Sequence, residues 1–126
     1  MPHKFNVHKI ISLLKKNVLV SRAEILLVDE IEKRGFYKIR CSLVPSRFKL
    51  DIKFIKTENE FLYSYQLYSH KARARWDNEP HYHDLDNSPH HYHHKNKVTS
   101  SNLSGNPEKD VKEVFSKVTA LLSGEN

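Results

Sequence analysis

Apolar residues recur along this chain with two different periods. Val7, Ile10, Ile11 and Leu14 stand at i, i+3, i+4 and i+7, one stripe of a helix, opposite Lys9, Lys15 and Lys16. Asn17 is the expected stop. Near the other end, Val111, Val114, Phe115, Val118, Leu121 and Leu122 line a second helical face. Asn106 is placed to cap that helix, and Pro107 fits its first position. Glu108 and Asp110 suit the positive end of its dipole, and Gly124 ends it.

Between these helices the period falls to two. "FKLDIKF" alternates Phe48, Leu50, Ile52 and Phe54 with Lys49, Asp51 and Lys53, the pattern of a half-buried strand. "EFLYSYQLYS" sets Phe61, Tyr63, Tyr65 and Leu67 against Ser64 and Gln66, and "TENE" supplies the turn between the two runs. "GFYKIRCSLV", bounded by Gly35 and Pro45, is a third strand. The segment "SRAEILLVDEIEKRG" is divided. Ser21 and Glu24 have the spacing of a capping box, whereas the aliphatic run and the "EKRG" turn favour a hairpin strand, which is the reading adopted. The expectation is one α+β domain over residues 1–126, an antiparallel sheet of about four or five strands flanked by an N-terminal and a C-terminal helix. "TSSNLSGN" has nothing to bury and is expected to be a mobile polar loop.

Composition narrows the function classes. Of 126 residues, 38% are hydrophobic and the mean hydropathy is −0.67, so the core is modest and the surface wet. No run approaches the ~20 apolar residues of a membrane span. "MPHKFNVHKIISLL" lacks the uninterrupted apolar stretch and cleavage site of a signal peptide, so a cytoplasmic location is expected. A single cysteine, Cys41, excludes an internal disulfide and a cysteine-based zinc site. The net charge of +6 is concentrated in residues 1–56, with thirteen lysines and arginines against five acids. A basic half of this kind suits a polyanion such as nucleic acid, and equally a solvated surface.

The candidate chemistry lies in "RWDNEPHYHDLDNSPHHYHHKNK", residues 75–97, where six of the nine histidines fall between His81 and His94. Pro80 and Pro89 read as rigid points of a defined loop. Three readings stand side by side. Imidazoles of ordinary pKa about 6.5 can serve as base and acid in RNA cleavage through the 2′-hydroxyl, with Arg75 and Lys95 as fixed charge and Trp76 or a tyrosine stacking a base. Alternatively they bind a metal: His81 and His83 share a side of an extended chain, a helical turn from Pro89 capped by Ser88 would align His90 with His94, and Asp84 and Asp86 add oxygens. No fixed-spacing metal motif is present. The third reading is structural, with histidines hydrogen-bonding to Asp and Tyr across a loop.

"RWDNEPH" followed by "PHHYHH" resembles the TumE family of prokaryotic toxins from toxin–antitoxin pairs. Tyr63 and Tyr65 match a preceding Y-x-Y strand. Arg75, Trp76, Asp77, Asn78, Pro80 and His81 match one block, while Pro89, His90, His91 and His93 match the next, with Ser100 beyond. The similarity spans roughly residues 35–102. Tyr82 stands where a second histidine is usual and Ser88 where Phe precedes the proline. Lys53 and Phe54 occupy the place of an acid.

The resemblance implies a type II toxin neutralised by a cognate antitoxin, with RNA as target. The paired histidines, the nearby arginine and the basic N-terminal half add the expectation of a metal-independent ribonuclease needing no cofactor. His81, His90 and His93 would transfer protons with His91 in reserve, Arg75 would stabilise the phosphorane, and Asp77 would orient a histidine. Arg73, Trp76, Tyr65 and Lys95 are the expected RNA contacts, although Trp76 and Asn78 also suit a role in shaping the loop. The rivals are a non-enzymatic module that binds nucleic acid or protein, and a histidine-liganded metal-dependent hydrolase.

Overall fold

In the computed structural model, which describes residues 5–44 and 47–124, the chain begins with helix α1 (Val7–Lys15). Strands β1 (Val20–Ile31), β2 (Arg34–Leu43), β3 (Lys49–Lys56), β4 (Phe61–Tyr68), β5 (Ala72–Asp77), β6 (His91–His94) and β7 (Lys97–Ser100) follow, and α2 (Pro107–Leu122) closes it. The strands form one antiparallel sheet in chain order, β1-β2-β3-β4-β5-β6-β7. The α+β class and both helices match the sequence reading, but the sheet has seven strands rather than four or five. The three extra strands come from the histidine-rich stretch, expected to be a loop, and its immediate borders. The Pro45 boundary of β2 lies outside the described residues.

Both helices start as their sequences dictate. The Asn6 side chain accepts from the backbone N–H of His8 at 3.0 Å, and Asn106 accepts from that of Glu108 at 3.1 Å, filling donors that a helix start leaves open. Val7, Ile10 and Leu14 of α1, with Val111, Val114, Phe115, Val118 and Leu121 of α2, enter one core with alternate residues of the sheet. Those residues are Tyr37, Ile39 and Cys41 of β2, Leu50, Ile52 and Phe54 of β3, Tyr63, Tyr65 and Leu67 of β4, and Ala74 and Trp76 of β5. A period of two places the intervening residues on the opposite face, which no described helix covers.

The β1 segment is a strand, so the capping-box spacing misled. Ser21 Oγ instead donates to the backbone oxygen of Ser42 across the β1–β2 pair at 3.1 Å. The β6–β7 hairpin turns on Lys95 (φ 52°) and Asn96 (φ 63°), the pair of left-handed residues that a two-residue hairpin matched to sheet twist requires.

The expected polar loop is held at several points. Leu103 and Ser101 are buried, and Asn87 Nδ2 donates to the carbonyls of Ser101 (2.6 Å) and Leu103 (3.0 Å). Buried Asp110 accepts from the backbone N–H and hydroxyl of Ser104 and the N–H of Gly105. None of the described helices is long and apolar enough to cross a membrane.

Candidate functional site

The open sheet face carries rows of polar side chains fixed by strand register. One row runs Arg40, Asp51, Gln66, Arg75, His93 across β2 to β6, and the next runs Lys38, Lys53, Ser64, Asp77, His91. Arg75 lies opposite His93 and Asp77 opposite His91, so these four side chains occupy the corners of one patch. The sequence encodes it twice with period two, as Arg75-x-Asp77 on β5 and His91-x-His93 on β6.

Asp77 is the hub. One carboxylate oxygen lies 2.7 Å from His91 Nε2 and 3.2 Å from the backbone N–H of Glu79. The other lies 2.8 Å from Arg75 Nε and 3.5 Å from His93 Nε2. At 3% exposure this carboxylate is retained inside the protein by its cationic and N–H partners.

His91, 2% exposed, has a second acceptor: the Pro89 carbonyl oxygen lies 2.9 Å from its Nδ1. With a polar partner at each ring nitrogen, the imidazole is fixed in orientation. His93 sits against it, ring centroids 4.8 Å apart and nearly edge-on, and reaches solvent at its outer side. Burial holds the His93 imidazole below the ordinary histidine range, the pull of Asp77 opposing this and the nearby His91 and Arg75 reinforcing it. Tyr82, from the loop between β5 and β6, lays its ring 4.7 Å from His91 and 5.9 Å from His93, roofing the pair on the otherwise open face.

That loop is pinned at its start by Asn78. Its side chain accepts from the backbone N–H of Tyr63 and donates to the carbonyl of Phe61, each at 2.9 Å, continuing the sheet ladder with a side-chain amide.

The remaining candidates are dispersed. His90 Nδ1 lies 2.8 Å from the Tyr63 hydroxyl. Burial lowers the His90 pKa, an effect Asp110 opposes, while burial drives the Tyr63 phenol far upward. His81 pairs with Glu79 at 3.2 Å on the surface. His83, Asp84 and Asp86 are exposed, and no helical turn aligns His90 with His94, because β6 is extended. Lys95 is exposed in the β6–β7 turn. Arg73 falls at the register shift between β4 and β5 and lies over the Phe48 ring. Tyr65 and Trp76, expected to stack bases, are 1% and 5% exposed in the helix-covered core.

Among the expected site residues, the structure therefore brings Arg75, Asp77, His91 and His93 together and separates His81, His90, Lys95, Arg73, Tyr65 and Trp76 from them. The sequence reading missed Tyr82 as the roof, Tyr63 as partner of His90, and Lys53 and Ser64 as neighbours in the row of Asp77. Their signal was the alternation of "DIKF" and "YSYQ", whose polar positions share the face of Asp77.

A search of curated proteins finds no match, and a search of solved structures finds none. The family model described as "Toxin TumE" matches residues 10–122, a span running from α1 through the Asp77 patch to the end of α2. The chain belongs to the TumE toxin family.

Proposed function

We propose that this TumE-family toxin cleaves RNA through the RNA's own 2′-hydroxyl, without a metal, at the patch formed by Arg75, Asp77, His91 and His93. The observation that carries this reading is the position of Asp77, whose one carboxylate holds a guanidinium and two imidazoles at 2.7 to 3.5 Å. Held low by burial, His93 is neutral near pH 7 and serves as the base that takes the 2′-hydroxyl proton. Arg75 supplies fixed positive charge for the phosphorane, and the departing 5′-oxygen takes its proton from solvent as the P–O5′ bond breaks. Asp77 acts as a positioning residue. The substrate backbone lies along the open face, where Lys38, Lys49 and Lys53 are half-buried, and their charges draw a polyanion. A cognate antitoxin neutralises the toxin by covering this face.

A second reading has its own observation. Ligand atoms of Asp77, His91 and His93 all lie within 4.8 Å of one another, a donor set that suits a transition metal. Against it, Arg75 Nε already occupies one Asp77 oxygen at 2.8 Å, and a fixed cation beside the site repels another. The deciding experiment is incubation of the purified protein with end-labelled RNA in EDTA. Products ending in 2′,3′-cyclic phosphate support the proposal. Salt-sensitive retention without cleavage would make the protein a binding module, and cleavage only after adding zinc or manganese would make it a metal-dependent hydrolase.

A further inference from the structure

β1 is an edge strand of unusual character. It is twelve residues long and leaves Ile25, Leu26, Leu27, Val28 and Ile31 between 36% and 66% exposed. Soluble proteins usually blunt such an edge with lysine, proline or brevity. The opposite edge, β7, has four residues, whereas "VSRAEILLVDEI" contains neither lysine nor proline. A long aliphatic edge is a template for another strand, and the charges of β1 indicate which one.

We propose that β1 is the seam of a homodimer, in which two copies pair edge to edge through antiparallel β1 strands about a two-fold axis perpendicular to the sheet. Residues directly opposite one another in such a ladder share a face. The partners of β1 on β2 assign those faces. Arg22, Glu24, Leu27 and Asp29 pair with Ser42, Arg40, Lys38 and Phe36, residues of the open face, while Ala23, Ile25 and Val28 pair with Cys41, Ile39 and Tyr37 of the helix-covered face. The bulge between Ile25 and Leu27 exchanges the faces at the strand centre.

Two self-pairings centred on the aliphatic run respect this assignment. One sets Glu24 opposite Asp29 of the second copy at both ends, acid against acid. The other sets Arg22 opposite Asp29, Ala23 opposite Val28 and Glu24 opposite Leu27, on matching faces and with opposite charges joined at both ends. The two-fold axis makes each contact occur twice, so β1 complements itself in one register and opposes itself in the other. The two open faces then lie on the same side of one continuous sheet. This proposal is independent of the cleavage reading above.

Sedimentation equilibrium of the full chain tests it. The wild type should be a concentration-dependent dimer. Arg22→Glu and Asp29→Arg should each weaken dimerisation roughly tenfold or more by placing like charges opposite each other. The double variant Arg22→Glu/Asp29→Arg restores opposite charges and should return the dissociation constant to within a few-fold of wild type. Melting curves alongside show that each variant is folded. A wild-type monomer at every concentration overturns the proposal, even if another protein's strand later proves to occupy the edge. Single variants that dimerise like the wild type, or a folded double variant that stays as weak as the singles, overturn it as well.

Discussion

Replacing Asp77 by Asn preserves shape and removes one charge from the centre of the patch. Asp77 accepts from His91, Arg75 and the Glu79 N–H, with His93 at the limit of reach. The Arg75 side chain is 36% exposed, so solvent screens most of its loss and its pairing contributes little to stability. His91 is different, because ring and carboxylate are both buried. Breaking a buried pair by removing one partner costs about 3–5 kcal/mol when the other charge is stranded. Here the new amide can still hydrogen-bond to Nε2 of His91, which limits the loss to about 2–3 kcal/mol. For a chain of this length that lowers Tm by roughly 10 °C. The assay is thermal unfolding of Asp77→Asn, His91→Gln and the double variant. The cycle should show a coupling of about 1.5 kcal/mol or more between the two positions. A fall in Tm under about 2 °C for Asp77→Asn, or a coupling below about 0.5 kcal/mol, would refute the claim that Asp77 and His91 form a buried, energetically coupled pair.

The same geometry sets three further outcomes. Burial holds His90, His93 and His94 below the ordinary histidine pKa, whereas the unfolded chain takes up those protons near pH about 6.5. Their contribution is therefore fully present above that value and lost as pH falls below it, so Tm should drop between neutral and mildly acidic buffer. A Tm that rises on acidification contradicts this. Asn78→Ala strands the buried Tyr63 N–H and the Phe61 carbonyl and should cost about 2 kcal/mol in denaturant melts, while Asn59→Ala in the exposed β3–β4 turn should stay within about 0.5 kcal/mol. Arg75→Gln should lower the RNA cleavage rate by about 10²–10³ with a Tm change of a few degrees at most, and an unchanged rate would remove Arg75 from the mechanism.

The elements that could be read from sequence were those whose signals are local. Asn106, Pro107 and the acids after them specify the start of α2 without reference to the rest of the chain. β3 and β4 declare themselves by alternating large apolar with charged or small polar residues. β1 carried two conflicting local signals, and tertiary pairing decided between them when Ser21 found its partner on β2. β5 was present in the pattern, since Ala72, Ala74 and Trp76 alternate with Arg73, Arg75 and Asp77, but its alanines are too small to register as an apolar face. β6 was harder. His91 is buried against Asp77 and His94 lies partly under the helix side, so residues that count as polar in sequence behave as interior ones here.

The site was half legible for the same reason. Residue types and blocks named Arg75, Asp77, His91 and His93 among others, but only strand register separates these four from His81 and His90. A loop held between two prolines gave every histidine equal standing. Two paired strands allow His91 and His93, two residues apart, to meet Arg75 and Asp77 on one face, and send Tyr92 and His94 to the other.

The central claim is that one histidine of the six moves the proton, and it is tested most directly by comparing RNA cleavage in EDTA by wild type, His93→Ala and His81→Ala, each shown by its melt to be folded. The account predicts a loss of about 10²–10⁴ in rate for His93→Ala and a wild-type rate for His81→Ala. Undiminished cleavage by folded His93→Ala, or its loss in His81→Ala, would contradict it.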